Sequence, residues 1–112
     1  MKIVGIVGWK NSGKTYFASK IINKLKTKNY RIASIKHAHH EFEIDHKGTD
    51  SFIHREAGSS QVIVSSSKRW AKITELNNCK EQTLNDLLKQ LNETDIVIVE
   101  GFKNDNHPKI EI

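Results

Sequence analysis

Eight residues near the amino end, Gly8-Trp9-Lys10-Asn11-Ser12-Gly13-Lys14-Thr15, satisfy the spacing G-x-x-x-x-G-K-[ST] at every fixed position. That pattern suits the grip of a polyphosphate. Its glycines let the backbone bend so that successive amide N–H groups point inward around an anion. A helix opening at Lys14 would add the positive end of its dipole. The Lys14 ammonium can reach β- and γ-phosphates, and the Thr15 hydroxyl can ligate Mg²⁺. The expected nucleotide-binding residues are Gly8, Lys10, Asn11, Ser12, Gly13, Lys14, Thr15 and the adjoining Tyr16.

Such a loop needs an acid near the metal. Glu100 directly follows the apolar run 96–99. An acid at the end of a buried strand beside the loop can hold a magnesium-bound water or orient an attacking one. Asp45 is the second candidate, because it follows the second expected strand, on the edge where ligands meet open α/β sheets. Thr15, Glu100 and Asp45 are thus the expected metal-side residues, and Lys14, Glu100 and Asp45 the expected catalytic ones. Asp95 precedes its strand and belongs at the opposite edge.

His37, His39, His40 and His46, with Asp45, hold donor atoms that could bind zinc, but their spacing follows no standard zinc template. The alternative is contact with phosphate or a partner, or closure over the site as a loop. Arg55 and Arg69 could stabilise phosphate charge. Trp70 reads as a core or interface anchor rather than a base-stacking platform.

These residues need elements to position them. The apolar run 3–7 suits a strand buried on both faces of a parallel sheet. A loop then spans 8–13 and a helix 14–28, with Phe17, Ile21, Ile22 and Leu25 on its inner face and Asn29 as its stop. Residues 31–36 read as a second strand and 37–48 as a loop. Thr49 or Asp50 can cap a short helix ending before Gly58. Residues 61–65 and 69–75 read as strands, the second weaker. Leu84, Leu87, Leu88 and Leu91 recur at i, i+3, i+4 and i+7, which marks an amphipathic helix. Strands follow at 96–99 and 109–112. Strands alternating with helices imply a layered α/β fold around a largely parallel sheet.

The 112 residues suffice for one domain with its own core. The charge is uneven: residues 1–40 carry +9 and residues 41–112 carry −4. A cationic first third attracts anions such as nucleotide phosphates, nucleic acid or an acidic partner. Lys20, Lys24, Lys26 and Lys28 also fit the solvated face of a helix. No apolar stretch approaches the ~20 residues of a spanning helix. The run after Met1-Lys2 is too short for a signal peptide, and Cys79 is the single cysteine. A reducing cytoplasm is therefore the expected location.

Four segments taken together resemble a known family. They are the phosphate loop; Ile35-Lys36-His37-Ala38-His39-His40 with Asp45, Gly48, Asp50 and Ser51; Arg55 with Ala57-Gly58; and Val99-Glu100-Gly101-Phe102-Lys103 followed by Pro108-Lys109-Ile110. The chain looks like the molybdopterin-guanine dinucleotide biosynthesis protein B family, MobB, over essentially its whole length. The resemblance implies a P-loop NTPase-like three-layer fold. It also implies GTP and Mg²⁺ binding with weak GTPase activity, a homodimer, and assistance to the enzyme that attaches GMP to molybdopterin. The family's phosphate-binding role falls on residues 8–15, and its acidic role on Glu100 and Asp45. Family members run on for some fifty further residues, so the sheet is expected to be incomplete at the carboxyl end. No [NT]-K-x-D motif occurs, so guanine preference comes from the resemblance alone. The competing readings are a small-molecule kinase, for which the chain leaves little room for an acceptor pocket and lid, and a non-enzymatic basic module for nucleic acid or metal.

Overall fold

The computed structural model describes residues 1–38, 42–77 and 79–112. In chain order they form β1 (Lys2–Val7), α1 (Lys14–Thr27), β2 (Ile32–Lys36), α2 (Asp50–Glu56), β3 (Gln61–Ser65), β4 (Trp70–Thr74), α3 (Leu84–Leu88), β5 (Ile96–Glu100) and β6 (Lys109–Glu111). They group into two compact units. The first holds β1, α1, β2, α3, β5 and β6. The second holds α2, β3 and β4.

In the first unit the strands form one sheet in the order β2-β5-β1-β6, with every pairing parallel. The β-branched run Ile96-Val97-Ile98-Val99 is central and buried on both sides, as parallel strands require. Its alternate side chains serve opposite layers. Ile98 joins Ile6 and Ala18 in a core that takes in Phe17, Ile21, Ile22 and Leu25 of α1. Val97 and Val99 join Leu84 in a second core with Ile3, Ile35, Leu88 and Leu91. The sheet thus has α1 on one face and α3 on the other, the expected three-layer arrangement.

Helix α1 stops where Asn29 turns left-handed at φ 68°, while the amide of Tyr30 donates back to the Leu25 carbonyl. Its lysines Lys20, Lys24 and Lys26 face solvent. Helix α3 is shorter than the leucine spacing predicts. After Leu88 the chain tightens into i→i+3 turns, from the Gln90 amide to the Leu87 carbonyl and from Leu91 to Leu88, which still bring Leu91 to the core.

In the second unit β3 and β4 pair antiparallel, with Ser65 opposite Trp70, and α2 packs on β3. Val62 is the buried residue of this hairpin. Of the two anchor roles expected for Trp70, core or interface, the core one does not hold. The residue stands in register with Ser65, on the face opposite Val62, and is 67% exposed. Among the described residues no helix is long and apolar enough to cross a membrane.

Candidate functional site

Four parallel strands bring their carboxyl ends to one edge of the first unit. The loop of residues 8–13 leaves β1 there, beside the end of β5. Two residues of this loop take left-handed backbone angles, Asn11 at φ 61° and Gly13 at φ 93°. Alternation of right- and left-handed residues turns successive amides toward one centre. Gly13 is then the N-cap of α1. No side chain caps this helix and its own first turn holds no acid, so its orphan amides are left without a side-chain acceptor from the helix itself. The Ser12 hydroxyl is buried and has no partner among the described residues. Gly8 is packed tightly: a Cβ there would lie 2.9 Å from the Ser12 Oγ and 2.9 Å from the Ile112 carbonyl oxygen. Trp9, at the start of the loop, is 86% exposed.

The charged groups gather as the spacing implies. Lys14 Nζ donates to the Gly8 carbonyl at 3.1 Å, folding back across the loop. The Thr15 hydroxyl donates to Glu100 Oε1 at 2.7 Å across 85 residues of sequence. Glu100 is the last residue of β5, opposite Ile6 of β1 and Lys36 of β2. It shares the strand parity of Ile98, so its side chain emerges on the α1 face, where Thr15 stands. Lys36 Nζ approaches Glu100 Oε1 at 3.8 Å. A hydroxyl and a carboxylate in contact form a hard-oxygen pair that fits magnesium, and the uncapped amides fit phosphate.

The turn after β5 seats this carboxylate. Gly101 has φ 105°, and a Cβ on it would lie 2.8 Å from the His37 Cβ. Its amide donates to the Ile6 carbonyl, and the His37 amide donates to the Glu100 carbonyl. The rings of His37 and Phe102 stack with centroids 4.3 Å apart. Of the other expected loop residues, Lys10 is exposed, and exposed Tyr16 receives the Lys20 ammonium over its ring at 5.1 Å.

Asp45 belongs to the second unit. Its Oδ1 accepts from Arg55 at 2.8 Å, and the same guanidinium donates to Glu43 and Glu75 and lies over the Phe52 ring. This hydrogen bond holds the Asp45 carboxyl below the usual carboxylate range, and its carboxylate partners push Arg55 further up. At the opposite edge of the first sheet Asp95 accepts from the Arg31 amide and guanidinium, as its place before β5 implies. His39 and His40 lie outside the described residues. Among the described residues no group of three or more His, Cys, Asp or Glu side chains could hold a metal ion. Lys36 is the site residue that sequence reasoning gave no role. Its signals were its place in the resembling segment 35–40 and at the end of an expected strand, and that strand's neighbour is known only from the folded sheet order.

Residues 3–112 match the family model for molybdopterin guanine dinucleotide synthesis protein B. The chain is 44% identical over 110 residues to a molybdopterin-guanine dinucleotide biosynthesis adapter protein of Haemophilus influenzae, covering 96% of this chain and 61% of that protein. It is 36% identical over 110 residues to the Escherichia coli protein of the same name, covering 96% and 63%. It therefore spans about three fifths of the length of these curated relatives. The crystal structure of Bacillus subtilis MobB matches with a TM-score of 0.81 at 30% identity, covering 100% of this chain and 68% of that one. A MobB homolog from Bacillus stearothermophilus shares the fold, with a TM-score of 0.75 at 23% identity and coverage of 100% and 63%. The layered sheet is thus a P-loop NTPase-like fold, and the chain belongs to the MobB family.

Proposed function

We propose that this chain is a GTP-binding adapter of molybdopterin-guanine dinucleotide synthesis, with a slow GTPase activity at residues 8–15 and Glu100. The observation that carries the reading is the Thr15–Glu100 contact beside an uncapped helix start. It joins the phosphate cradle to an acid from a distant part of the chain. The adapter role and the guanine nucleotide draw on the relatives, which are adapter proteins of that synthesis.

The amides from Gly13 to Tyr16 and the Lys14 ammonium hold the triphosphate. Lys14 exchanges its contact with the Gly8 carbonyl for a phosphate oxygen, a stronger acceptor. Thr15 and Glu100 would hold a metal through their side-chain oxygens, and a bound Mg²⁺ would supply charge neutralisation for the triphosphate. Slow turnover is expected because two of the chain's three arginines, Arg31 and Arg55, are engaged in ion pairs outside residues 8–15. Arg31 pairs with Asp95 at the far edge of the sheet, and Arg55 is held by three carboxylates. Asp45, bound to Arg55, takes a structural part, and the acidic role rests with Glu100. The proposal extends to a cytoplasmic homodimer that engages the GMP-transferring enzyme.

Titration calorimetry with GTP and Mg²⁺ tests the reading. The expected result is saturable binding that Lys14→Ala weakens about ten- to hundredfold, the worth of one charged hydrogen bond in a polyphosphate site. Absence of GTP binding, or binding indifferent to Lys14→Ala, overturns it.

A further inference from the structure

We infer that Lys36 is a positioning residue that occupies the metal side of the site before magnesium arrives, competing with the metal for the same oxygen of Glu100. The inference rests on the proposed nucleotide site and extends it to a residue with no previous role there.

Three observations meet at one atom. Glu100 Oε1 accepts from Thr15 at 2.7 Å and faces Lys36 Nζ at 3.8 Å. Lys36 and Glu100 are register partners at the ends of adjacent parallel strands, so the backbone itself sets their side chains side by side. The two ends differ in exposure: the Glu100 side chain is 12% exposed and that of Lys36 63%. The carboxylate is held within the site, whereas the ammonium reaches it from solvent on a flexible stem and can leave.

An ammonium on that oxygen has two opposing effects. It screens Glu100 from the phosphates, which favours nucleotide binding when no metal is present. It also repels a second cation and must be displaced before Glu100 can serve magnesium, which raises the metal concentration required. A residue that merely braced the sheet would not separate these effects. A residue that only touched phosphate would show the first without the second.

The test uses a non-hydrolysable GTP analogue and calorimetry over a series of Mg²⁺ concentrations, with EDTA for the metal-free arm. In Lys36→Met the half-saturating Mg²⁺ concentration should fall about two- to fivefold, the size expected for one solvent-reaching ion pair. Metal-free affinity for the analogue should fall by a similar factor. Lys36→Arg should restore both values toward those of the unaltered chain. In a Glu100→Gln background, Lys36→Met should no longer lower the Mg²⁺ midpoint. A midpoint that stays fixed or rises in Lys36→Met, with the unaltered chain still binding the analogue, overturns the placeholder role and leaves the nucleotide site standing. An unaltered chain that binds no analogue at any Mg²⁺ concentration overturns both.

Discussion

The hydrogen bond from Thr15 to Glu100 joins a helix start to a strand end, and it makes the proposed roles of the two residues testable. Under the proposed function the hydroxyl would serve the metal, whereas the phosphates would rest on backbone amides that no side-chain substitution removes. Thr15→Ala should therefore weaken GTP binding about tenfold when Mg²⁺ is present and change metal-free binding less than about twofold. Calorimetry in Mg²⁺ and in EDTA separates the two conditions, and equal losses in both would contradict the metal-side role. This part of the site was legible from residue types because it is local. Gly8, Gly13, Lys14 and Thr15 fall within eight consecutive residues, and Glu100 closes an apolar run that suits a buried strand. Asp45 followed the same logic of a strand edge with a different outcome. Its environment is set by Arg55, Glu43 and Glu75, which no spacing rule gathers.

Among the elements, the short helix α3 shows how local chemistry and packing share the load. Five residues are too few to hold a helix by propensity alone. Thr83 accepts from the Asp86 amide at 3.1 Å, and Asp86 accepts in return from the Thr83 amide at 3.0 Å, a complete capping box. These hydrogen bonds hold the Asp86 carboxyl below its ordinary range. The cap presents Leu84, buried at 4% exposure, to Val97 and Val99. Thr83→Ala should cost about 1 kcal/mol, read as a lower urea midpoint with an unchanged slope. A change within error would show that packing by Leu84, Leu88 and Leu91 suffices. The leucine spacing located this helix correctly but overstated its length, because it records which side chains face the core and not which backbone bonds hold them there. The exposed Trp70 shows the same gap from the other side: an apolar residue type states a preference for burial, and only the hairpin register reveals the face on which it falls.

At the scale of the molecule, the edge strand β6 ties the phosphate loop to the folded state. It pairs with the end of β1, and the Ile112 amide donates to the Val7 carbonyl just before Gly8. The turn into β6 carries His107, whose two ring nitrogens are buried without a partner among the described residues. The ring lies against Gly5, where a Cβ would fall 2.5 Å from Nε2, so the glycine makes room for it. Burial lowers the imidazole pKa below its usual value, and the nearby Lys109 lowers it further, against a small opposing effect of Asp105. The folded chain thus refuses a proton that the unfolded chain accepts near its ordinary value of about 6.5. Stability should be full above that value, fall as the pH drops below it, and level off beneath the folded pKa. Asp45, Asp86 and Asp95, whose carboxyls are held low, lose their contribution only below about pH 4, which leaves the window to acid of neutral clear of them. The urea midpoint of the unaltered chain should be lower at pH 5.5 than at pH 7.5. In His107→Leu most of that difference should vanish with no loss at pH 7.5, since an apolar side chain of similar size leaves no buried nitrogen unpaired. A difference of the same size in the variant would place the titrating group elsewhere and free β6 from any part in the response to pH.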